Sequence, residues 1–278
     1  MSRLVLVGLP IGNLKDISKR ALEALKNSKV IICEDSKNVK KLMSLLEISL
    51  QGKFLETFHD HSSEGKFRKI ENYLKSESEV VLVSDAGSPI ISDPGYPIVQ
   101  LARSLGIEVE TLPGPTSVVA ALELSGLPPI PFTFGGFLGR NTSSIRSAFS
   151  EALKNEGTHI FFESPHRIKK TLNVLAEEVS SLEDAHVSAV VCREITKLYQ
   201  EVISIDLSSY DQTTQKDFVG ECVLVFHVGL GQKQEKLEMS KAQELAHEVL
   251  KKPGHKKTLA KLLAYCTSQK TQDVFKSL

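Results

Sequence analysis

Short β-branched runs alternate with amphipathic stretches through the first 125 residues, and this alternation limits the possible folds more than any other feature of the chain. Continuously apolar runs predict strands at 4–7, 30–33, 80–83 and 109–112. Between and after them, helical patterns occur at 18–26, 37–46, 64–74, 98–105 and 116–124. Strands that are apolar on both faces and separated by helices are typical of a parallel sheet covered on both sides. The sequence therefore predicts an α/β domain over residues 1–126.

A proline-rich break at residues 126–131 ends this pattern. It reads Gly-Leu-Pro-Pro-Ile-Pro, and three prolines in four residues fit neither a helix nor a central strand. Beyond the break, the patterns predict helices at about 143–153 and 168–179 and strands at 132–134, 159–162, 187–192, 201–205 and 222–228. Because the last three strands follow one another directly, we expect a second α/β domain over 131–230 with a mixed sheet.

Charge is distributed unevenly along a chain whose formal net charge is zero. Residues 233–278 contain ten lysines and five acidic residues, so this segment carries +5 and the first 232 residues carry −5. Its most basic stretch, 251–261, contains no acidic residue. We predict a basic helical extension over 233–278, which is either a solvated face or a contact for an anionic partner.

Composition disfavours several classes of protein. No apolar run reaches the roughly 18 residues of a membrane span, and the first run, 4–9, is too short for a signal peptide. The four cysteines form no CxxC pair, and His59 and His61 lack a third metal ligand at a suitable spacing. We therefore expect a cytoplasmic protein without a membrane anchor, a disulfide framework or a metal site.

Polar and turn-forming residues follow the predicted strands of the first domain, at 8–13, 34–37, 84–95 and 113–117. Open α/β sheets bind ligands beyond the carboxyl ends of their strands, so these loops predict a ligand site. The loop at 8–13 matches neither GxGxxG nor the nucleoside-triphosphate loop, and Pro10 removes a backbone donor. A nicotinamide or nucleoside-triphosphate site is therefore disfavoured.

The loop at 85–95 is longer than the roughly 2–6 residues of an ordinary strand-to-helix connection. Gly87 allows a ligand to approach the main chain, and Ser88 supplies a hydroxyl. Asp93 precedes Pro94 and also fits a structural role in capping a turn. Thr116 and Ser117 either cap a helix or receive a carboxylate at its N-terminus.

Two strand ends of the second domain also carry ionisable residues. Residues 161–167 read Phe-Phe-Glu-Ser-Pro-His-Arg, and residues 192–197 read Cys-Arg-Glu-Ile-Thr-Lys. They form either a surface ion-pair cluster or a site in which Arg167 and Arg193 bind an anion.

Taken in order, these loops resemble the tetrapyrrole methylase superfamily, and within it the bacterial small-subunit (16S) ribosomal RNA cytidine 2′-O-methyltransferases. The resemblance covers about residues 3–228, and its motifs lie at 9–14, 34–37, 84–95, 113–117, 125–128, 136–140, 162–167, 193–197 and 220–226. The sequence departs from the family pattern at Ser36-Lys37, Asn38-Val39, Gly139 and Cys222.

The resemblance implies two α/β domains with S-adenosylmethionine in the cleft between them, a homodimer, and small-subunit ribosomal RNA in the 30S particle as the substrate. The residues that it implies for the cofactor are Leu9, Pro10, Gly87, Ser88, Ile91, Thr116, Ser117, Phe162 and Cys192. Those that it implies for RNA are Arg140, His166, Arg167, Arg193 and Lys197.

Methyl transfer to a ribose hydroxyl needs a base that removes the proton during attack. Asp35, Asp85, Glu163 and Glu194 are the candidates, and the sequence does not choose among them. Two other functions remain open: carbon methylation of a corrin precursor, and a non-catalytic RNA-binding role on the same fold. The motif at 162–167 and the basic extension disfavour the corrin reaction.

Overall fold

The computed structural model describes residues 2–59, 62–182, 185–211, 213, 217–230, 256–267 and 270–278. The chain divides into two compact units. The first comprises Met1–Glu183 and Val187–Val228, and the second comprises Asp184–His186 and Gly229–Leu278.

The first sheet has five parallel strands in the order β3-β2-β4-β1-β5. They are β1 (Arg3–Val7), β2 (Val30–Cys33), β3 (Phe54–Thr57), β4 (Glu79–Leu82) and β5 (Glu108–Leu112). This confirms the parallel sheet predicted from the sequence. The patterns did not predict β3, because an edge strand that is only partly buried lacks the continuous apolar run of the central strands.

Helices cover both faces of this sheet. They are α1 (Lys19–Asn27), α2 (Ser36–Leu45), α3 (Glu64–Ser76) and α4 (Tyr96–Ser104). Val5 and Val7 of β1 pack with α1 and α2, whereas Leu4 and Leu6 pack with α3 and α4. Residues 4–7 are therefore buried on both faces, which explains why they form a continuous apolar run.

The second sheet is mixed, with the order β6-β7-β10-β8-β9. β6 and β7 are parallel, while β7 pairs antiparallel with β10 and β8 pairs antiparallel with β9. This confirms the predicted mixed sheet. The elements of this part are α5 (Ser117–Ser125), β6 (Phe132–Phe137), α6 (Thr142–Ala152), β7 (Gly157–Glu163), α7 (Ile168–Ser180), β8 (Ala185–Arg193), β9 (Glu201–Ile205) and β10 (Cys222–Leu230).

Helix α5 precedes the proline-rich break but packs on the second sheet. Its Ala121 and Leu122 lie against Val190 and Val223, on the face opposite to α6 and α7. Both sheets belong to the first compact unit, so the division at residues 126–131 stays a prediction.

The second unit contains two described helices, α8 (Lys256–Thr267) and α9 (Thr271–Ser277), which pack through Ala260, Ala264 and Val274. Of the basic cluster, Lys256, Lys257 and Lys261 are exposed, and residues 251–255 lie outside the described part of the chain. None of the helices in the described residues is long and apolar enough to cross a membrane.

Candidate functional site

A cavity of about 400 Å³ opens in the first unit, beyond the carboxyl ends of several strands. We call it the main cavity. Its first wall is the loop after β4 together with the start of α5. Its second wall comes from the ends of β6 and β7, from Ile195 after β8, and from residues 220–223 at the start of β10. Loops that are distant in sequence therefore meet at the position where α/β sheets bind ligands.

Glycines allow the loops of the first wall to touch. A Cβ atom on Gly8 would lie 2.7 Å from the backbone nitrogen of Gly114, so the loops after β1 and β5 cross at backbone contact. Leu9 and Gly87 exchange two backbone hydrogen bonds, with N···O distances of 2.8 and 3.0 Å. The loops after β1, β4 and β5 are thus joined into one surface.

Strained backbone is concentrated around the main cavity. Of the four non-glycine residues with positive φ in the described part of the chain, Ser92 (+66°), Glu194 (+53°) and Thr196 (+67°) lie on its loops. Such conformations cost about 1–3 kcal/mol each and are common at functional sites. The loops are held in these conformations by their surroundings.

The structure brings six of the nine predicted cofactor residues together on the walls of the main cavity: Gly87, Ser88, Ile91, Thr116, Ser117 and Phe162. The other three are not among the lining residues. Leu9 is buried beneath the loop that it anchors, and the buried Cys192 donates its thiol hydrogen to the carbonyl of Ala121. Pro10 adjoins Leu9 in the same loop. Their roles toward a cofactor stay predictions.

Asp85 lines the main cavity with an exposed side chain. Its carboxylate accepts hydrogen bonds from Asn38 Nδ2 at 2.6 Å and from the backbone nitrogen of Asp35 at 3.3 Å. Asp35 lies outside the lining and caps α2, since its side chain accepts from the backbone nitrogen of Lys37 at 2.7 Å. Of these two candidate bases, Asp85 alone faces the main cavity.

Glu163 has a fully buried side chain whose oxygens are already used in hydrogen bonds. Oε1 accepts from the backbone nitrogen of Ser164 at 2.7 Å and from Arg167 Nε at 2.8 Å, and Oε2 accepts from the Thr171 hydroxyl at 2.7 Å. Arg167 also donates to the carbonyl of Leu138 at 2.9 Å. This geometry suits the positioning of Arg167 better than the transfer of a substrate proton.

Asp93 is a cavity carboxylate that was not among the candidate bases predicted from the sequence. It is partly buried and lines the main cavity beside Ser92. Burial raises the pKa of Asp93 to about 6; a Ser84 hydrogen bond opposes the rise, and the negative charges of Glu34 and Asp85 add to it. The unusual length of the loop was the sequence signal that could have drawn attention to this residue.

The predicted RNA-binding cations differ in how far they are engaged within the protein. Arg193 donates to Glu201 at 3.1 Å and to the carbonyl of Val219 at 3.0 Å. Lys197 pairs with Glu194 at 2.8 Å and with Glu221 at 3.1 Å. These contacts hold the second wall of the main cavity together.

Two of the predicted RNA-binding residues are more accessible. Arg140 and His166 are exposed, and neither forms an ion pair within the described residues.

Glu194, the fourth candidate base, accepts hydrogen bonds from Lys197 and from the backbone of Glu221, which lower its pKa.

Cys222 lines the main cavity, and burial raises the pKa of its thiol to about 11. The thiol is therefore protonated at neutral pH and is a poor nucleophile. Within the described ranges, no group of three or more His, Cys, Asp or Glu side chains is placed to hold a metal ion.

Residues 3–211 match the family model of Tetrapyrrole (Corrin/Porphyrin) Methylases. The chain is 38 % identical over 226 residues to ribosomal RNA small subunit methyltransferase I of Bacillus subtilis (strain 168), covering 81 % of this chain and 75 % of that protein. It is 40 % identical over 202 residues to the protein of the same name from Thermotoga maritima, covering 72 % of this chain and 86 % of that protein.

Solved structures share the fold at low sequence identity. A diphthine synthase aligns with a TM-score of 0.61 and 21 % identity, over 82 % of this chain and 90 % of that one. A uroporphyrin-III C-methyl transferase from Thermus thermophilus, complexed with S-adenyl homocysteine, aligns with a TM-score of 0.54 and 15 % identity, over 84 % of this chain and 98 % of that one.

The chain belongs to the tetrapyrrole methylase family, and it is a methyltransferase. Within this family, its relatives at 38 % and 40 % identity are ribosomal RNA small subunit methyltransferases I. The branch indicated by the motifs at 84–95, 162–167 and 193–197 is thereby confirmed.

Proposed function

We propose that this protein transfers a methyl group from S-adenosylmethionine to the ribose 2′-oxygen of a cytidine in small-subunit ribosomal RNA. The observation that carries the proposal is the main cavity, because its walls are built from loops whose motifs resemble those of small-subunit ribosomal RNA methyltransferases. The bound methyl donor supplies an electrophilic methyl group on a sulfonium.

The residues of the main cavity fit this donor. The volume of about 400 Å³ lies within the range of roughly 300–1,000 Å³ typical of small-molecule sites. Phe162 and Ile91 offer apolar surface, and the hydroxyls of Ser88 and Ser117 can orient polar groups. Thr116, at the N-cap of α5, makes no side-chain capping hydrogen bond, so the first N–H groups of α5 can receive a carboxylate.

We expect Gly87→Arg to weaken the binding of S-adenosylmethionine by about tenfold or more, which corresponds to roughly 1.4 kcal/mol. Gly87 has φ of +72°, which L side chains rarely adopt, and an arginine side chain would occupy the main cavity. Gly52→Arg is the matched control, since Gly52 has φ of +75° and a Cβ atom there would have no other atom within 4 Å. Calorimetry that gives equal affinities for the wild type and Gly87→Arg would place the donor elsewhere.

We propose that Asp93 is the general base that accepts the proton of the ribose hydroxyl. Asp85 and Asp93 line the main cavity, and neither forms an ion pair with a described cation, whereas Glu163 is paired with Arg167 and Glu221 with Lys197. A base works best when its pKa lies close to the working pH. The raised pKa of Asp93 meets this condition. Asp85, which also lines the main cavity, would orient the donor or the ribose.

We propose that Arg140, which is exposed, and Arg167 bind RNA phosphates. His166 adjoins Arg167 in the same loop. Arginine guanidinium groups suit phosphate oxygens because their donors are planar and can bind two oxygens at once. The substrate form is the 30S particle, the enzyme acts as a homodimer, and its location is the cytoplasm; these three assignments belong to the proposal.

Mass mapping of ribosomal RNA tests the reaction. A strain lacking the gene should lose one 2′-O-methylcytidine from the small-subunit RNA, and the purified protein with S-adenosylmethionine should restore it to 30S subunits from that strain. Persistence of every 2′-O-methylcytidine, with accumulation of a corrinoid intermediate, would favour carbon methylation of a tetrapyrrole. Failure of the purified protein to bind S-adenosylmethionine would contradict the proposed reaction.

A further inference from the structure

A second cavity of about 450 Å³ adjoins the main cavity. We call it the side cavity. It is lined by Phe137, Leu138, Arg140, Glu163, Ser164 and Arg167, of which Phe137, Glu163 and Ser164 also line the main cavity. The two cavities are therefore adjacent and share part of their walls.

Phe137 stands at the junction of the two cavities with 65 % of its surface exposed. The register between β6 and β7 shifts between Phe134 and Phe137, and Gly136 has φ of +69°. Irregularities of this kind redirect a side chain from the regular pleat. The ring packs edge-on against Phe162 at 5.3 Å between centroids, which supports one side of the ring.

Two arginines give the side cavity a positive charge next to this aromatic ring. Glu163 and the carbonyl of Leu138 fix the guanidinium of Arg167 through Nε and Nη2, while Nη1 makes no hydrogen bond within the described residues. Arg140 is exposed and forms no ion pair within the described residues. The charge of Glu163 is balanced by Arg167, so Arg140 adds a net positive charge.

From this arrangement we infer that the side cavity is a subsite for the nucleotide next to the methylated one, with its base stacked on Phe137 and its phosphate against Arg140 and Arg167. The inference rests on the proposed function and deepens it. An aromatic face stacks on any base, and neighbouring arginines bind the backbone, which is how proteins hold single-stranded RNA. The target nucleotide must then be unstacked from its neighbour, so the substrate is a non-helical stretch of RNA.

The test compares two substitutions of Phe137 by steady-state methylation of 30S subunits from a strain lacking the gene. Loss of a base–aromatic stack typically weakens binding by about 5- to 150-fold, so Phe137→Leu should raise KM for the subunits by a factor in this range. Phe137→Tyr keeps the ring and should restore KM towards the wild-type value. Phe132→Leu is the matched control, since Phe132 lies on the same strand, is 46 % exposed and lines neither of the two cavities.

Calorimetry with S-adenosylmethionine separates the side cavity from the main cavity, because Phe137 lines both. We expect Phe137→Leu to raise KM for the subunits by a larger factor than it raises the Kd of the donor. A KM for 30S subunits equal to that of the wild type would overturn the inference, and so would a parallel rise in the Kd of the donor. A wild-type protein that does not methylate 30S subunits at all would instead overturn the proposed function, and the inference with it.

Discussion

Asp93→Asn should lower kcat by about 10²- to 10⁴-fold, the usual contribution of a general base. An amide cannot accept the proton of the ribose hydroxyl, yet it has nearly the same size as the carboxyl group and preserves the shape of the loop. The Kd of S-adenosylmethionine should change little by comparison. Single-turnover methylation of 30S subunits measures the chemical step directly.

The same substitution should stabilise the folded protein above pH 6. The pKa of Asp93 is raised from 3.8 to about 6, so between these values the folded state binds a proton that the unfolded state has lost. The free energy of unfolding of the wild type therefore falls as the pH rises from about 4 to about 6, and Asp93→Asn lacks this fall. Urea denaturation of both proteins at pH 5 and pH 8 measures the difference.

The pH profile of kcat/KM provides the control. In the wild type it should rise with an inflection near pH 6, because kcat/KM reports the ionisation of the free enzyme. Asp85→Asn removes a negative charge that raises the pKa of Asp93, so the inflection should remain and move to lower pH. An inflection near pH 6 that survives in Asp93→Asn would assign the base to another residue.

The fold was largely predictable because its central elements are buried on both faces. Val30–Cys33 is fully buried, and its sequence Val-Ile-Ile-Cys shows this directly. The strand Phe54–Thr57 was missed because it is an edge strand whose Glu56 pairs with Lys69 on α3. A continuous apolar run indicates a strand that is buried on both faces. It does not identify a strand that is partly exposed to solvent.

The chemistry of the site was predictable in part. The loops that form the main cavity were recognised, since turn residues and hydroxyls follow the strands. The hydrogen-bond partners of individual side chains were not predictable. Arg193 donates to the carbonyl of Val219, and Thr171 donates to Glu163, because folding brings these residues together. Asp93 was missed for the same reason, as its burial depends on the path of the loop.

Glu163→Ala should destabilise the protein by about 3 kcal/mol, the lower end of the range for a broken buried ion pair. The side chain of Glu163 is fully buried, and its loss leaves the backbone nitrogen of Ser164 and the hydroxyl of Thr171 without their acceptor. The lower end applies because the side chain of Arg167 is 29 % exposed and can be hydrated after the loss. The shift in urea denaturation measures this cost.

Two further substitutions show whether the cost belongs to the buried network. Thr171→Val removes one donor to Glu163 and should cost about 1.5 kcal/mol, and combining it with Glu163→Ala should cost less than the sum, because both act on one hydrogen bond. Glu177→Ala on the same helix breaks the exposed contact with Arg146 and should leave the urea midpoint unchanged. Additive losses in the free energy of unfolding for Glu163→Ala and Thr171→Val would show that the two side chains do not act together. A wild-type urea midpoint for Glu163→Ala would mean that Arg167 is held in place by other contacts.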